Sequence, residues 1–133
     1  MKNARTSTRF RAVATASLAA LALAASGGSA IAGGGTIDAD VNIKFNSDQF
    51  RFTGHVKSQG KCERKRLVRV YEKSPGKDEL VGQDTTDSGG KYSVNPGGSI
   101  NGGTPHYAKA VEKELDGGGI CTTAKSDTFI PND

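Results

Sequence analysis

Polar and apolar residues alternate along much of the chain beyond residue 35. Ile37, Ala39, Val41, Ile43 and Phe45 fall on one face of Thr36–Phe45, and Asp38, Asp40, Asn42 and Lys44 fall on the other. A period of two held over this length predicts one strand with a wet face and a dry face. Asn46-Ser47-Asp48 supplies turn residues. Phe50, Phe52, Gly54 and Val56 then alternate with Arg51, Thr53, His55 and Lys57, so the first two strands are expected to pair as a hairpin. A glycine in mid-strand, here Gly54, marks a bulge or a close backbone approach.

Further strands are predicted at Leu67–Glu72, with Val68 and Val70 inward, and at Leu80–Asp84, Lys91–Val94, His106–Val111 and Ile120–Ala124. Turn and loop clusters separate them at Ser74–Asp78, Asn95–Pro105 and Asp116–Gly119. Thr128-Phe129-Ile130 either extends the last strand or pairs on its own. Ala108–Leu115 alone admits a helical reading, and the glycines on both sides leave it about two turns at most, so strand is preferred. Short strands punctuated every ~8–12 residues predict an all-β fold: a single antiparallel β-sandwich of about seven strands, Ig-like or prealbumin-like.

The first 32 residues break this pattern. Lys2, Arg5, Arg9 and Arg11 precede an uncharged run from Ala12 to Ala25, followed by Ser29-Ala30-Ile31-Ala32. A basic start, a short apolar centre and an A-x-A site predict a secretory signal peptide cleaved after Ala32. The apolar run is shorter than the roughly 18–20 residues that span a bilayer, so no membrane span is expected. The mature domain, residues 33–133, is then exported and released. The leader also carries four of the 18 basic residues and no acidic one, which leaves 14 of each sign in the mature part. The overall basic balance therefore belongs to targeting, and no nucleic-acid partner is expected. A neutral mature chain of this size, without Trp and rich in Gly, builds a thin core.

Cys62 and Cys121 are the two cysteines. In an exported chain they are expected to pair, with two free thiols or a redox pair as the alternatives. No CxxC motif and no neighbouring His supports the redox reading. A bridge over a loop of this length contributes roughly 4 kcal/mol in the chain-entropy treatment.

The stretch TTDSGGKYSV, residues 85–94, poses the sharpest chemical question. Two carboxylates, Asp84 and Asp87, without EF-hand spacing make a poor calcium loop, and the stretch lacks the GxxxxGK[ST] pattern of a phosphate loop. It reads as a structural turn in which Asp87 caps backbone NH groups and Gly89 and Gly90 take positive φ. Asp38-Ala39-Asp40-Val41-Asn42 is better explained by strand alternation than by metal binding. His55 and His106 lack paired spacing, and Gly97–Asn101 misses the nucleophile-elbow pattern. No metal, no cofactor and no enzymatic activity are expected. The densest basic run holds Lys61, Arg64, Lys65 and Arg66, with Arg69 beyond. It is a candidate anion-contact patch, set against the plainer reading of a solvated strand edge on which charge discourages edge pairing.

Phe52-Thr53-Gly54-His55-Val56, Arg66–Tyr71 and Thr86–Val94 together resemble the carboxypeptidase regulatory-like (transthyretin-like, or prealbumin-like) β-sandwich family, over roughly residues 50–111. In that family a G-x-V strand opens the fold, a bulged V-x-V strand follows, and a T-D-x-x-G-x-[YF]-x-[VL] turn and strand closes the centre. The likeness extends to small exported bacterial proteins of that type, with one Cys before the V-x-V strand and one near the end, where Cys62 and Cys121 stand. It implies a sandwich with a binding or accessory role and no catalysis. Thr36–Phe45 is an added leading strand relative to that pattern. The resulting expectation is a secreted, monomeric, non-catalytic module that binds an unknown ligand or envelope component, with a structural or self-associating envelope protein as the alternative.

Overall fold

The computed structural model describes residues 34–132. The expected leader and its cleavage point lie outside the described residues. The described chain is all-β apart from one short 3-10 turn at Gly60–Cys62.

β2 (Ala39–Asn46) and β3 (Arg51–Ser58) form the expected hairpin, from Ala39 opposite Ser58 to Asn46 opposite Arg51. The Asn46 side chain accepts from the Gln49 amide at 3.0 Å in the turn between them. β6 (Lys91–Val94) pairs on the other side of β3 and completes one sheet in the order β2-β3-β6. The second sheet runs β10-β7-β4-β5, from β4 (Leu67–Glu72), β5 (Glu79–Thr85), β7 (His106–Ala110) and β10 (Ala124–Lys125). β4 sits in its middle, as a strand with Val68 and Val70 wholly buried should.

One apolar core joins the two sheets. Ile43, Phe52, Val56, Tyr92 and Val94 come from the first, and Val68, Val70, Ala108 and Ala110 from the second. Each fully buried Val or Phe contributes roughly 1.5–3 kcal/mol of transfer free energy. The alternation read from sequence is therefore the alternation of a two-sheet core.

Two glycines show how tightly that core closes. A Cβ at Gly54 would collide with the Asn42 carbonyl and the Tyr92 ring. The Tyr92 ring occupies the space a side chain would fill, and its hydroxyl donates to the Asn42 carbonyl at 2.5 Å. Gly54 is thus a close approach and not a bulge. At Gly82 a Cβ would stand 2.7 Å from a Val94 methyl and 2.8 Å from the Asn95 carbonyl. There β5 approaches β6 across the sandwich, and the Asp84 carboxylate accepts from the Ser93 amide at 2.8 Å.

Two strand expectations change. The leading strand divides at Asp38 into β1 (Thr36–Ile37) and β2. β1 joins β8 (Lys113–Glu114) and β9 (Ile120–Cys121) in a small third sheet ordered β1-β9-β8, in which the β1–β9 pair is parallel. Residue alternation reports the face of a strand, not its partner, so it cannot register a hand-over between sheets. The expected strand Ile120–Ala124 likewise divides into β9 and β10, which serve different sheets. Phe129 pairs separately, through a bridge to His106. The β4–β5 ladder slips at Val70/Tyr71, where Val81 is the extra residue. No helix forms in Ala108–Leu115.

Candidate functional site

The basic run does not lie on a strand edge. After β3 the chain turns at Gly60 (φ 59°), makes its short 3-10 turn, and turns again at Lys65 (φ 50°) before β4 begins. Two left-handed residues within six positions cannot belong to a strand, so the solvated-edge reading is corrected: the run is a loop. The positive φ is ordinary for Gly60 and uncommon for Lys65.

Four anchors hold this loop. Cys62 is buried and disulfide-bonded to Cys121, with Cα atoms 5.6 Å apart, within the normal range for a bridge. The Thr86 hydroxyl accepts from the Arg66 amide at 2.8 Å and donates to the Glu63 carbonyl at 2.5 Å. The Thr86 backbone adds bonds to the Arg66 carbonyl (2.9 Å) and from the Lys65 amide (3.1 Å). The Lys113 ammonium, on β8, donates to the Arg64 carbonyl at 2.9 Å and the Lys61 carbonyl at 3.3 Å. Arg66 itself is the fourth. Its side chain is fully buried and donates to the carbonyls of Val111 (3.0 Å), Cys62 (3.3 Å) and Thr122. Burial lowers the Arg66 pKa below the usual guanidinium value.

The 85–94 stretch abuts this loop. One oxygen of Asp87 accepts from the amides of Gly89 and Lys91, both at 2.9 Å, and the Asp87 amide donates to the Lys91 carbonyl. The Lys91 amide, followed by that of Gly89, holds the Asp87 carboxyl below its ordinary range. Of the two glycines only Gly90 has positive φ (78°), which corrects the expectation for Gly89. One left-handed residue suffices to bring the chain back into β6, and Gly89 contributes its amide to the carboxylate. Gly90 is also a close approach, since a Cβ would lie 3.1 Å from the His55 ring and 3.2 Å from the Glu63 Cβ. The His55 ring meets the Gly89 carbonyl at 2.5 Å.

Loop 60–65, the Asp87–Ser88 turn and residues 113–116 converge on an open groove of about 780 Å³. Lys61, Arg64, Lys65, Lys113 and Asp87 line it, together with Glu114 and Asp116. Lys61, Arg64 and Lys65 are exposed. Among the described residues the one contact within 4.0 Å between a basic side chain and a carboxylate is His106 to Glu72, at 3.3 Å. Among the described residues the three groove cations therefore have no carboxylate partner. The Lys113 pKa is lowered, first by desolvation and then by Arg64, Arg66 and Lys65, so positive charge is crowded here.

Of the five residues in the sequence-defined basic patch, the structure brings three together at the groove. Arg66 lies beneath it in the interior. Arg69 lies on β4 away from it, with Nε donating to the Gln83 side chain at 3.3 Å. Lys113 is the member sequence reasoning missed. It lies far along the chain among residues of mixed charge, and no local pattern marks it.

Elsewhere, His106 is wholly buried, its ring 5.0 Å from that of Phe52 and its Nδ1 2.8 Å from the Thr104 carbonyl. Asp38 accepts from the Thr122 hydroxyl at 2.7 Å, beside the junction of β1 and β2. No group of three or more His, Cys, Asp and Glu side chains placed to hold a metal occurs among the described residues, and no helix among them is long and apolar enough to cross a membrane. No family model, curated protein or solved structure matches the chain.

Proposed function

We propose that the chain is an exported, non-catalytic binding module of the transthyretin-like sandwich type, acting at the cell envelope or outside the cell, with its ligand seated in the groove beside loop 60–65. One observation carries this reading: three exposed cations, without a carboxylate partner among the described residues, stand on a loop fixed by a disulfide, a buried arginine and Thr86. A loop presented by a rigid sandwich is where such scaffolds place recognition. The non-catalytic reading rests on the histidines, since both rings are engaged with backbone carbonyls and neither is bonded to a hydroxyl or thiol among the described residues. The sandwich type rests on the central Val68-x-Val70 strand and on the Asp87 turn that leads into β6.

Amide-shift mapping of the mature protein against fractionated envelope polymers tests this reading. Changes confined to residues 60–66, 86–88 and 113–116 are expected. Changes scattered over both sheets, or none from any fraction, would refute the groove as the site. Recovery of the chain only in cell-associated form, with Leu18–Ala25 retained, would refute export and release.

The self-associating alternative draws on a different feature. Phe50 and Ile130 are each 50% exposed, and Phe50 takes φ 48° with its ring edge-on to Phe45 at 5.6 Å. Concentration-dependent sedimentation that Phe50→Ser abolishes would favour that alternative over a monomeric binder.

A further inference from the structure

We infer that the groove takes a linear polyanion, a chain of repeating phosphate or carboxylate groups, gripped by Lys61, Arg64 and Lys65; the inference rests on the groove being the binding site. Three observations lead to it. The cations are crowded and, among the described residues, form no direct ion pair although Asp87, Glu114 and Asp116 line the same groove, so the fold holds like charges together without locking them to a carboxylate. Exposed charges on an anchored loop attract an incoming anion without an ion pair having first to break. Lys65 adopts a left-handed conformation uncommon for a lysine, and the surrounding bonds from Thr86 maintain it. Strain of this kind persists where the surroundings over-determine it and is concentrated at ligand clamps. Finally, the space is open and about 780 Å³, more than a single small anion fills.

The groove lining also narrows the class. It contains no aromatic side chain, and Leu115 is its one large apolar residue. Single-stranded nucleic acid is bound on aromatic stacking platforms combined with basic grooves. A site with the charges and without the platform recognises the anionic chain and not bases. Arg64 suits either anion, since a guanidinium meets phosphate and carboxylate alike in a fork.

The experiment uses the mature, disulfide-bonded protein and three probes: inorganic polyphosphate, poly-glutamate and a dT oligomer of matched charge. Saturable binding of polyphosphate or poly-glutamate is expected, weakening roughly 20- to 40-fold between 50 and 200 mM salt if about three charges are engaged. The comparison of those two probes identifies the anion. Lys61→Ser combined with Arg64→Ser and Lys65→Asn should weaken binding at least ~10-fold at unchanged Tm, Asn being a residue that tolerates positive φ. Arg69→Ser, outside the groove, should leave binding as it was. Equal binding by the triple variant, or tighter binding of the dT oligomer than of both other probes, would overturn the inference. Groove shifts produced by an uncharged envelope fraction, with no response to either polyanion, would overturn the ligand class and leave the groove as a site.

Discussion

Replacing Arg66 by Leu should be among the most damaging single changes in this domain. The guanidinium donates to the carbonyls of Val111, Cys62 and Thr122, and so ties together the start of β4, the residue after β7 and the residue after β9. Bonds from a charged donor contribute about 1.5–3 kcal/mol each, so three amount to several kcal/mol gross. Against this stands the desolvation of a buried ion, itself several kcal/mol. Leucine removes that desolvation cost but leaves up to three carbonyls short of a donor, at about 1–3 kcal/mol apiece where water does not reach them. The net loss expected is about 3 kcal/mol. For a domain of about 100 residues that is roughly 12–24 °C in Tm. Urea unfolding of the disulfide-intact protein measures it, with an unchanged m-value showing that the unfolded state is the same. Arg66→Lys separates geometry from charge. A single ammonium cannot reach three carbonyls on three segments, so about half the loss is expected. A cost below about 0.5 kcal/mol for Arg66→Leu, as at an ordinary surface site, would refute the clamp. A gain in stability would show that relief of repulsion from Arg64, Lys65 and Lys113 outweighs the three bonds.

The disulfide closes a separation of 59 residues, so Cys62→Ser with Cys121→Ser should cost about 4 kcal/mol, read by denaturant unfolding beside the oxidised parent. Asp87 has its pKa lowered by the amides of Lys91 and Gly89. Its contribution is in place above the unfolded carboxylate range of about 4 and is lost as pH falls through the lower folded value. Asp87→Asn should therefore lower Tm at neutral pH and flatten the acid limb of a Tm-against-pH profile; a calcium-dependent rise in Tm that this variant abolishes would instead reveal a metal loop. Burial raises the Tyr92 pKa. The stability it confers is present below the unfolded tyrosine value of about 10 and declines as pH rises above it. Tyr92→Phe should cost about 0.5–1.5 kcal/mol at neutral pH and soften alkaline unfolding, followed by tyrosinate absorbance. Gly54→Ala forces a methyl into the Tyr92 ring and the Asn42 carbonyl, and should cost about 1–3 kcal/mol in the same unfolding assay.

By itself the sequence determined the strand faces, the turns and the cysteine pair. Period-two alternation in residues 36–57, and again in Leu67–Glu72, leaves one buried face whatever the partners are; Phe52 and Val56 in the first stretch and Val68 and Val70 in the second are wholly buried accordingly. Turn chemistry is equally local. Asp87 meets amides two and four residues ahead of it, a reach set by backbone geometry alone. Only the tertiary structure decided which strands share a sheet, because pairing depends on partners far along the chain; β1 and β2 leave one alternating run for different sheets. The same holds for the basic run. Lys61, Arg64, Lys65 and Arg66 are alike in charge, yet the first three face solvent and the fourth is buried among carbonyls supplied by Val111 and Thr122. Charge is a property of the residue, whereas burial and a hydrogen-bond partner are properties of the position. Lys113 enters the groove for the same reason, carried there by β8 through its pairing with β9 and the Cys62–Cys121 bond.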